Sequence, residues 1–135
     1  MATLRLEIVT PESKIYSEEV EMVTLPGVEG EMGIYPMHVP LMTQVSPGEV
    51  LARKNGVEYS LAVGEGFVEI SADRVAILTD MAIRADDIDE AKAEEARKRA
   101  EARLQEKLSD EEGAAVTAAL AHSLAQLQVK RRQRH

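Results

Sequence analysis

Cysteine and tryptophan are absent from this sequence, phenylalanine occurs once (Phe67), and aromatic residues make up only 3% of the chain. Without cysteine there can be no disulfide and no thiolate metal site, a composition that fits a reducing compartment. With so few rings the core must be aliphatic, and 44% hydrophobic residues suffice for one. No apolar run approaches the roughly 20 residues of a membrane helix. The opening MATLRLEIVTPE lacks the basic-then-apolar order of a secretory signal, so the chain is expected to be soluble and to stay where it is made. An excess of positive charge is missing too: the formal net charge is −8, which argues against nucleic acid as the main partner. Histidine is scarce, and of His38, His122 and His135 only the first precedes residue 86.

What is present divides the 135 residues into two parts, 1–85 and 86–135. Residues 3–9 alternate, with Leu4, Leu6 and Ile8 on one face and Arg5 and Glu7 on the other, the pattern of a half-buried strand. Thr10-Pro11-Glu12-Ser13 is a turn cluster, followed by short strands at Lys14 to Ser17 and Glu18 to Leu25. Further strands are expected at Leu41 to Val45, Glu49 to Lys54, Val57 to Val63, Phe67 to Ser71 and Arg74 to Thr79. Asn55-Gly56 between two of them calls for a type I′ hairpin, which needs positive φ twice. Val57, Tyr59, Leu61 and Val63 share a face. Nine or ten short strands with regular turn signals predict an antiparallel β-sandwich or barrel.

The pattern changes at Asp86. Proline disappears and alanine becomes the commonest residue. Asp86, Asp87, Asp89 and Glu90 crowd a helix start, where they meet the macrodipole favourably. Glu94–Lys98 and Glu95–Arg99 are i,i+4 pairs, and Ala93, Ala96, Ala100 and Leu104 make one stripe. These predict a helix over about 87–107. Ser109-Asp110-Glu111-Glu112 is a capping box opening a second helix. Its predicted stripe is Val116, Leu120, Leu124 and Leu127, and it ends in the cations Lys130, Arg131, Arg132 and Arg134. A short connection makes the two an antiparallel hairpin, so the fold class is β then α. Alanine-rich faces bury little area, and area sets the hydrophobic gain at roughly 25 cal/mol per Å². The hairpin is therefore expected to be weakly held and able to leave the sandwich.

No catalytic constellation emerges. His38 with Glu29, Glu31 and Glu49 would be at most a partial metal site, and Glu29 with Glu31 is better read as solvated loop carboxylates than as an acid/base pair. Gly27-x-x-Gly30-x-x-Gly33 and Gly64-x-Gly66 resemble phosphate loops, but neither precedes a helix or carries the required Lys-Ser/Thr. Asp87-x-Asp89 begins like a calcium loop, with Lys92 where glycine is needed. The residues describe a non-catalytic interaction module with a helical arm. Two alternatives are a stand-alone nucleotide sensor using Asp89, Lys92 and Arg99, and a β-rich metalloenzyme using His38.

The most distinctive stretch is Leu25 to Met42, LPGVEGEMGIYPMHVPLM. Its glycines and prolines specify backbone shape strongly, as in a loop built to present a surface. Leu25, Pro26, Gly27, Glu29, Gly30, Glu31, Gly33, Ile34, Pro36, His38, Pro40 and Leu41 resemble the motif of the ε subunit of F-type ATP synthases, and the resemblance runs to the C-terminus.

That resemblance implies a β-sandwich at 1–85 that binds the γ subunit and sits on the c ring, coupling proton flow to rotation. The hairpin at 86–135 becomes a regulatory arm that inhibits ATP hydrolysis when it extends toward the catalytic α/β head. It places Glu29, Gly30 and Glu31 toward the c ring and His38 near γ, and offers Lys130, Arg131, Arg132 and Arg134 as contacts with the head. It implies no resident cofactor. A family ATP-binding motif corresponds to Ile88-Asp89-Glu90-Ala91-Lys92-Ala93, with Arg99 beyond it. Lys92 replaces the motif's arginine and lacks the planar fork, while His122 and Gln126 stand on the second helix, so weak ATP binding or none is expected. The implied location is the cytoplasmic face of a bacterial plasma membrane, as a peripheral subunit, or a plastid thylakoid.

Overall fold

The computed structural model describes residues 2–133 and contains ten strands followed by two helices. The strands are β1 (Leu4–Val9), β2 (Lys14–Val20), β3 (Met22–Gly27), β4 (Gly30–Ile34), β5 (Leu41–Val45), β6 (Gly48–Lys54), β7 (Val57–Val63), β8 (Gly66–Ile70), β9 (Arg74–Thr79) and β10 (Ala82–Arg84). A single 3₁₀ turn, Ala85–Asp87, leads to α1 (Glu90–Arg103) and α2 (Asp110–Gln133). On one side β10, β7, β6 and β3 lie in order, with β4 on the other edge of β3. On the other side lie β5, β8, β9, β1 and β2. The two layers join where Gly27 pairs with Val45. Every pairing is antiparallel except β1 with β9.

The alternation in β1 places Leu4, Leu6 and Ile8 in the interior, where Val23, Leu25, Val50, Leu61, Val68 and Ile77 meet them at essentially zero exposure. The core is aliphatic except for Tyr16. Asn55 and Gly56 take φ of 54° and 77°, the two positive values the β6–β7 turn needs. Pro26 occupies a mid-strand position at little cost. Its backbone faces the edge on which β3 changes partner, from β6 at Met22–Thr24 to β5 at Gly27. A missing donor there interrupts no ladder, and the Pro26 carbonyl accepts from Ser46 N at 2.8 Å.

Several boundaries differ from the sequence reading. Leu25–Met42, expected as short strand pieces joined by tight turns, holds the end of β3, all of β4 and the start of β5, whereas β10 lies outside the strands the sequence suggests. The break between the second and third strands falls at Glu21 rather than after Ser17. Val57 and Tyr59 are exposed although they share a face with buried Leu61 and Val63, because the first half of β7 runs beyond the core. Helix α1 is shorter than 87–107, since the acidic start forms a 3₁₀ turn and the helix ends at Arg103. Residues 104–109 then connect the helices, more than the residue or two expected. Glu94 bonds Arg97 rather than Lys98, and reaches across to Arg131. Leu104 and Leu124 are exposed, contrary to their place in the expected stripes. Val116 and Leu127 of the expected stripe are buried, but so are Ser123, Ala125 and Val129, which lie outside it. Helix α2 buries two faces, one against α1 and one against β6, β7 and the 3₁₀ turn, so a single-stripe reading misses half of it.

Candidate interaction surfaces and the docked arm

Five turns gather at one end of the sandwich: 10–13, 28–29, 46–47, 64–65 and 80–81. Glu29, Gly30 and Glu31 are at this end, all exposed. They border a shallow cleft that also takes in Met32, Leu41 and Thr43. His38 lies past the far end of β4, on the order of 13 Å along the strand at about 3.3 Å per residue. The structure therefore divides this predicted group between two surfaces. The His38 ring is half-buried, with Nδ1 2.6 Å from the Val39 carbonyl, a distance at which Nδ1–H donates. The loop carrying it is pinned by Met37 N to the Ala72 carbonyl at 2.7 Å, with Met37 at φ +70°. Glu49 is remote from His38 and accepts from Ser60 and Arg132. Among the described residues no three histidine or acidic side chains cluster as a metal site would require.

Around this loop the surface is unusually apolar. Tyr35, Met37, Val39 and Met42 are all more than half exposed. On the outer face of the same sheet, Phe67 on β8 and Leu78 on β9 are paired directly across the ladder and also more than half exposed. Phe67 shares a groove with Val28, while Leu78 opens onto an apolar hollow bordered by Val9 and Pro11. Sequence reasoning missed Phe67 and Leu78. In β8 and β9 they alternate with buried Val68 and Ile77, and the folded register sets them side by side.

The second candidate surface is the arm. Asp89 is the N-cap of α1, its carboxylate accepting from Lys92 N at 3.1 Å, which satisfies one orphan donor of the first turn. Ile88 and Ala93 are buried, whereas the Lys92 and Arg99 side chains are exposed. Arg99 borders a hollow with Ala96, Arg103 and Val116, between the helices. Ten residues of mostly helical rise, about 15 Å, separate Asp89 from Arg99. The predicted nucleotide residues thus fall into a capping carboxylate, two buried apolar groups and two separate surface cations.

The capping box at the start of α2 forms reciprocally: Ser109 Oγ accepts from Glu112 N at 3.1 Å and donates to Glu112 Oε1 at 2.9 Å. The hydrogen bonds from Ser109, then Arg103 nearby, hold the Glu112 carboxyl below its ordinary value.

At the other end of α2 every described member of the predicted cation cluster is engaged. Lys130 Nζ donates to the Ala85 carbonyl at 3.1 Å. Arg131 reaches α1, donating to Glu90 at 3.1 Å and to Glu94 at 2.9 Å. Arg132 donates to Glu49 on β6, with Nε 2.7 Å from Oε1. Gln133 donates to Asp86 at 3.0 Å. Arg134 lies outside the described residues. Arg97 hydrogen bonding, and then Arg131, lowers the Glu94 carboxyl, while Glu49 raises the Arg132 guanidinium. Between these polar contacts, Ala125 and Val129 pack on Ala62, Ala85 and Ile88, small side chains that bury limited area.

The match to known families covers nearly the whole chain. Residues 3–85 match the model of the ATP synthase delta/epsilon chain β-sandwich domain, and residues 86–131 match that of its long α-helix domain. An ATP synthase epsilon chain of Dehalococcoides mccartyi is 48% identical over 99% of this chain and 96% of its own. One of Herpetosiphon aurantiacus is 46% identical over 98% and 97%, and one of Laribacter hongkongensis 44% identical over 94% and 92%. Among solved structures, a chain of Euglena gracilis mitochondrial ATP synthase, from an assembly of OSCP, F1 and c-ring, shares the fold with TM-score 0.77 at 23% identity. It covers all of this chain, which spans 83% of it. A chain from the central stalk and c-ring of Tetrahymena thermophila mitochondrial ATP synthase gives TM-score 0.57 at 13% identity, over 94% of this chain and 96% of its own.

Proposed function

Since the chain belongs to the ATP synthase delta/epsilon chain family, we propose that it acts in the rotor through two surfaces of the sandwich and one mobile arm. It is an epsilon chain, a non-catalytic subunit of that complex. The apolar face of Met42, Phe67 and Leu78, with the 35–42 loop, docks on the γ subunit. The acidic tip at Glu29, Gly30 and Glu31 meets the c ring, and His38 borders the γ contact. The observation that carries this reading is the exposed apolar face itself. Such a face on a small sandwich marks a surface that a partner covers, and aromatic and methionine side chains suit such a contact.

The hairpin is the regulatory element. Packed as described, its cations are engaged with its own chain. Extended toward the α/β head, Lys130, Arg131, Arg132 and Arg134 become available to acidic surfaces there and slow ATP hydrolysis. Its interfaces are small enough for a two-state element. ATP binding at Asp89, Lys92 and Arg99 is weak or absent, because Asp89 is occupied as a cap. The complex is membrane-associated, and this subunit works at its cytoplasmic face in a bacterial plasma membrane. No described helix is long and apolar enough to cross a membrane.

The test is binding to γ held in an ε-depleted catalytic head. Phe67→Asp and Leu78→Asp are expected to weaken binding at least tenfold while leaving the circular dichroism spectrum unchanged. Unaltered binding by both variants would remove this face from the account.

A further inference from the structure

Arg131 and Arg132 are consecutive, so they point about 100° apart around α2, and the structure sends them to two different bodies. Arg131 closes the hairpin by bonding Glu90 and Glu94 of α1. Arg132 instead bonds Glu49 of the sandwich, where a carboxylate only 13% exposed is already held by Ser60 Oγ of the next strand. The flanking polar contacts of α2 all fall on the sandwich side. Lys130 and Gln133 reach the 3₁₀ turn, and His122 approaches Asp80 after β9. Helix α1 packs on α2, whereas α2 also packs on β6 and β7.

We propose that the arm has two separately latched joints: α2 to the sandwich, held by Arg132–Glu49, and α1 to α2, held by Arg131 with Glu90 and Glu94. This rests on reading the hairpin as a mobile arm. Release of the first latch frees an intact hairpin that keeps its α1–α2 contact. Release of the second separates α1 while α2 stays on the sandwich. Neither event needs the other, because the two arginines share no carboxylate.

The chain has no cysteine, so introduced pairs label uniquely. Spin labels at Glu58→Cys and Gln128→Cys report the α2–sandwich joint. Labels at Glu95→Cys and Gln128→Cys report the α1–α2 joint. Both distance measurements use the isolated full chain, so they do not depend on inhibition of ATP hydrolysis. Glu49→Gln is expected to raise the long-distance population of the first pair about two- to fivefold, the range for an ion pair with an exposed partner, and to leave the second unchanged. Glu90→Gln with Glu94→Gln should do the reverse. Arg132→Gln provides a second removal of the first latch, and adding it to Glu49→Gln should have little further effect. If either latch variant shifts both distance distributions together, or if none shifts its own, the two-joint proposal is overturned. The assignment of the chain as a regulatory subunit would still stand on the hydrolysis test.

Discussion

His122 Nε2 on α2 lies 3.1 Å from Asp80 Oδ1 at the end of β9, and this approach is possible only because residue 64 has no side chain. A Cβ at Gly64 would sit 2.0 Å from the Asp80 oxygen and 2.9 Å from His122 Nε2. Gly64→Ala is therefore expected to push α2 off the turn end of the sandwich, at about 1–3 kcal/mol, the usual cost of overpacking. Hydrogen exchange should rise in the second half of α2 and stay low in β1, β8 and β9. Unchanged exchange in α2 would mean that the helix can shift without losing its seat.

Acid should loosen the hairpin. Glu94 and Glu112 both have folded-state carboxyls held below their ordinary value, Glu94 first by Arg97 and Glu112 first by Ser109. A lowered folded value means that the stabilisation is fully present above the unfolded value and is lost as pH falls through the folded one. Helix-hairpin amides should thus lose protection as pH falls below 4.5, with little change between pH 6 and 8 from these two groups. Glu7 follows the same rule in the sandwich, through Lys14 and then Arg74.

The cores differ in what a truncation costs. Leu61→Ala removes a wholly buried side chain from the sandwich centre and should cost about 2–5 kcal/mol in chemical denaturation. Leu124→Ala should cost close to nothing, because Leu124 is exposed. A large loss at Leu124 would restore the stripe that the sequence pattern suggested.

Ser109→Ala removes one half of the capping box and leaves Glu112 N without its side-chain acceptor. A cost of about 1 kcal/mol is expected, read as fraying of the first turn of α2 by amide exchange, with the sandwich melt unchanged.

These expectations show which parts of the molecule were legible beforehand. Asn55-Gly56 and Ser109-Asp110-Glu111-Glu112 were read correctly because a turn and a cap are local: the physics lies within four residues. The aliphatic sandwich was legible from alternation, and the family from the resemblance carried by Leu25–Met42. The seating of α2 was not. Alanine gives little periodic contrast, and a helix that buries two faces has no single stripe, so Leu124 was placed inside and Ala125 and Val129 were overlooked. Arg132–Glu49 spans 83 residues and no local pattern announces it. Phe67 and Leu78 needed the β8–β9 register before they became a surface.

The central claim is that the helical arm regulates a rotor to which the sandwich binds. It is tested most directly by ATP hydrolysis of an ε-free catalytic head containing γ, titrated with the full chain and with a version ending at Arg84. Inhibition by the full chain, together with binding but no inhibition by the truncated one, is the predicted result. Failure of both to bind γ, or equal inhibition by both, would contradict it.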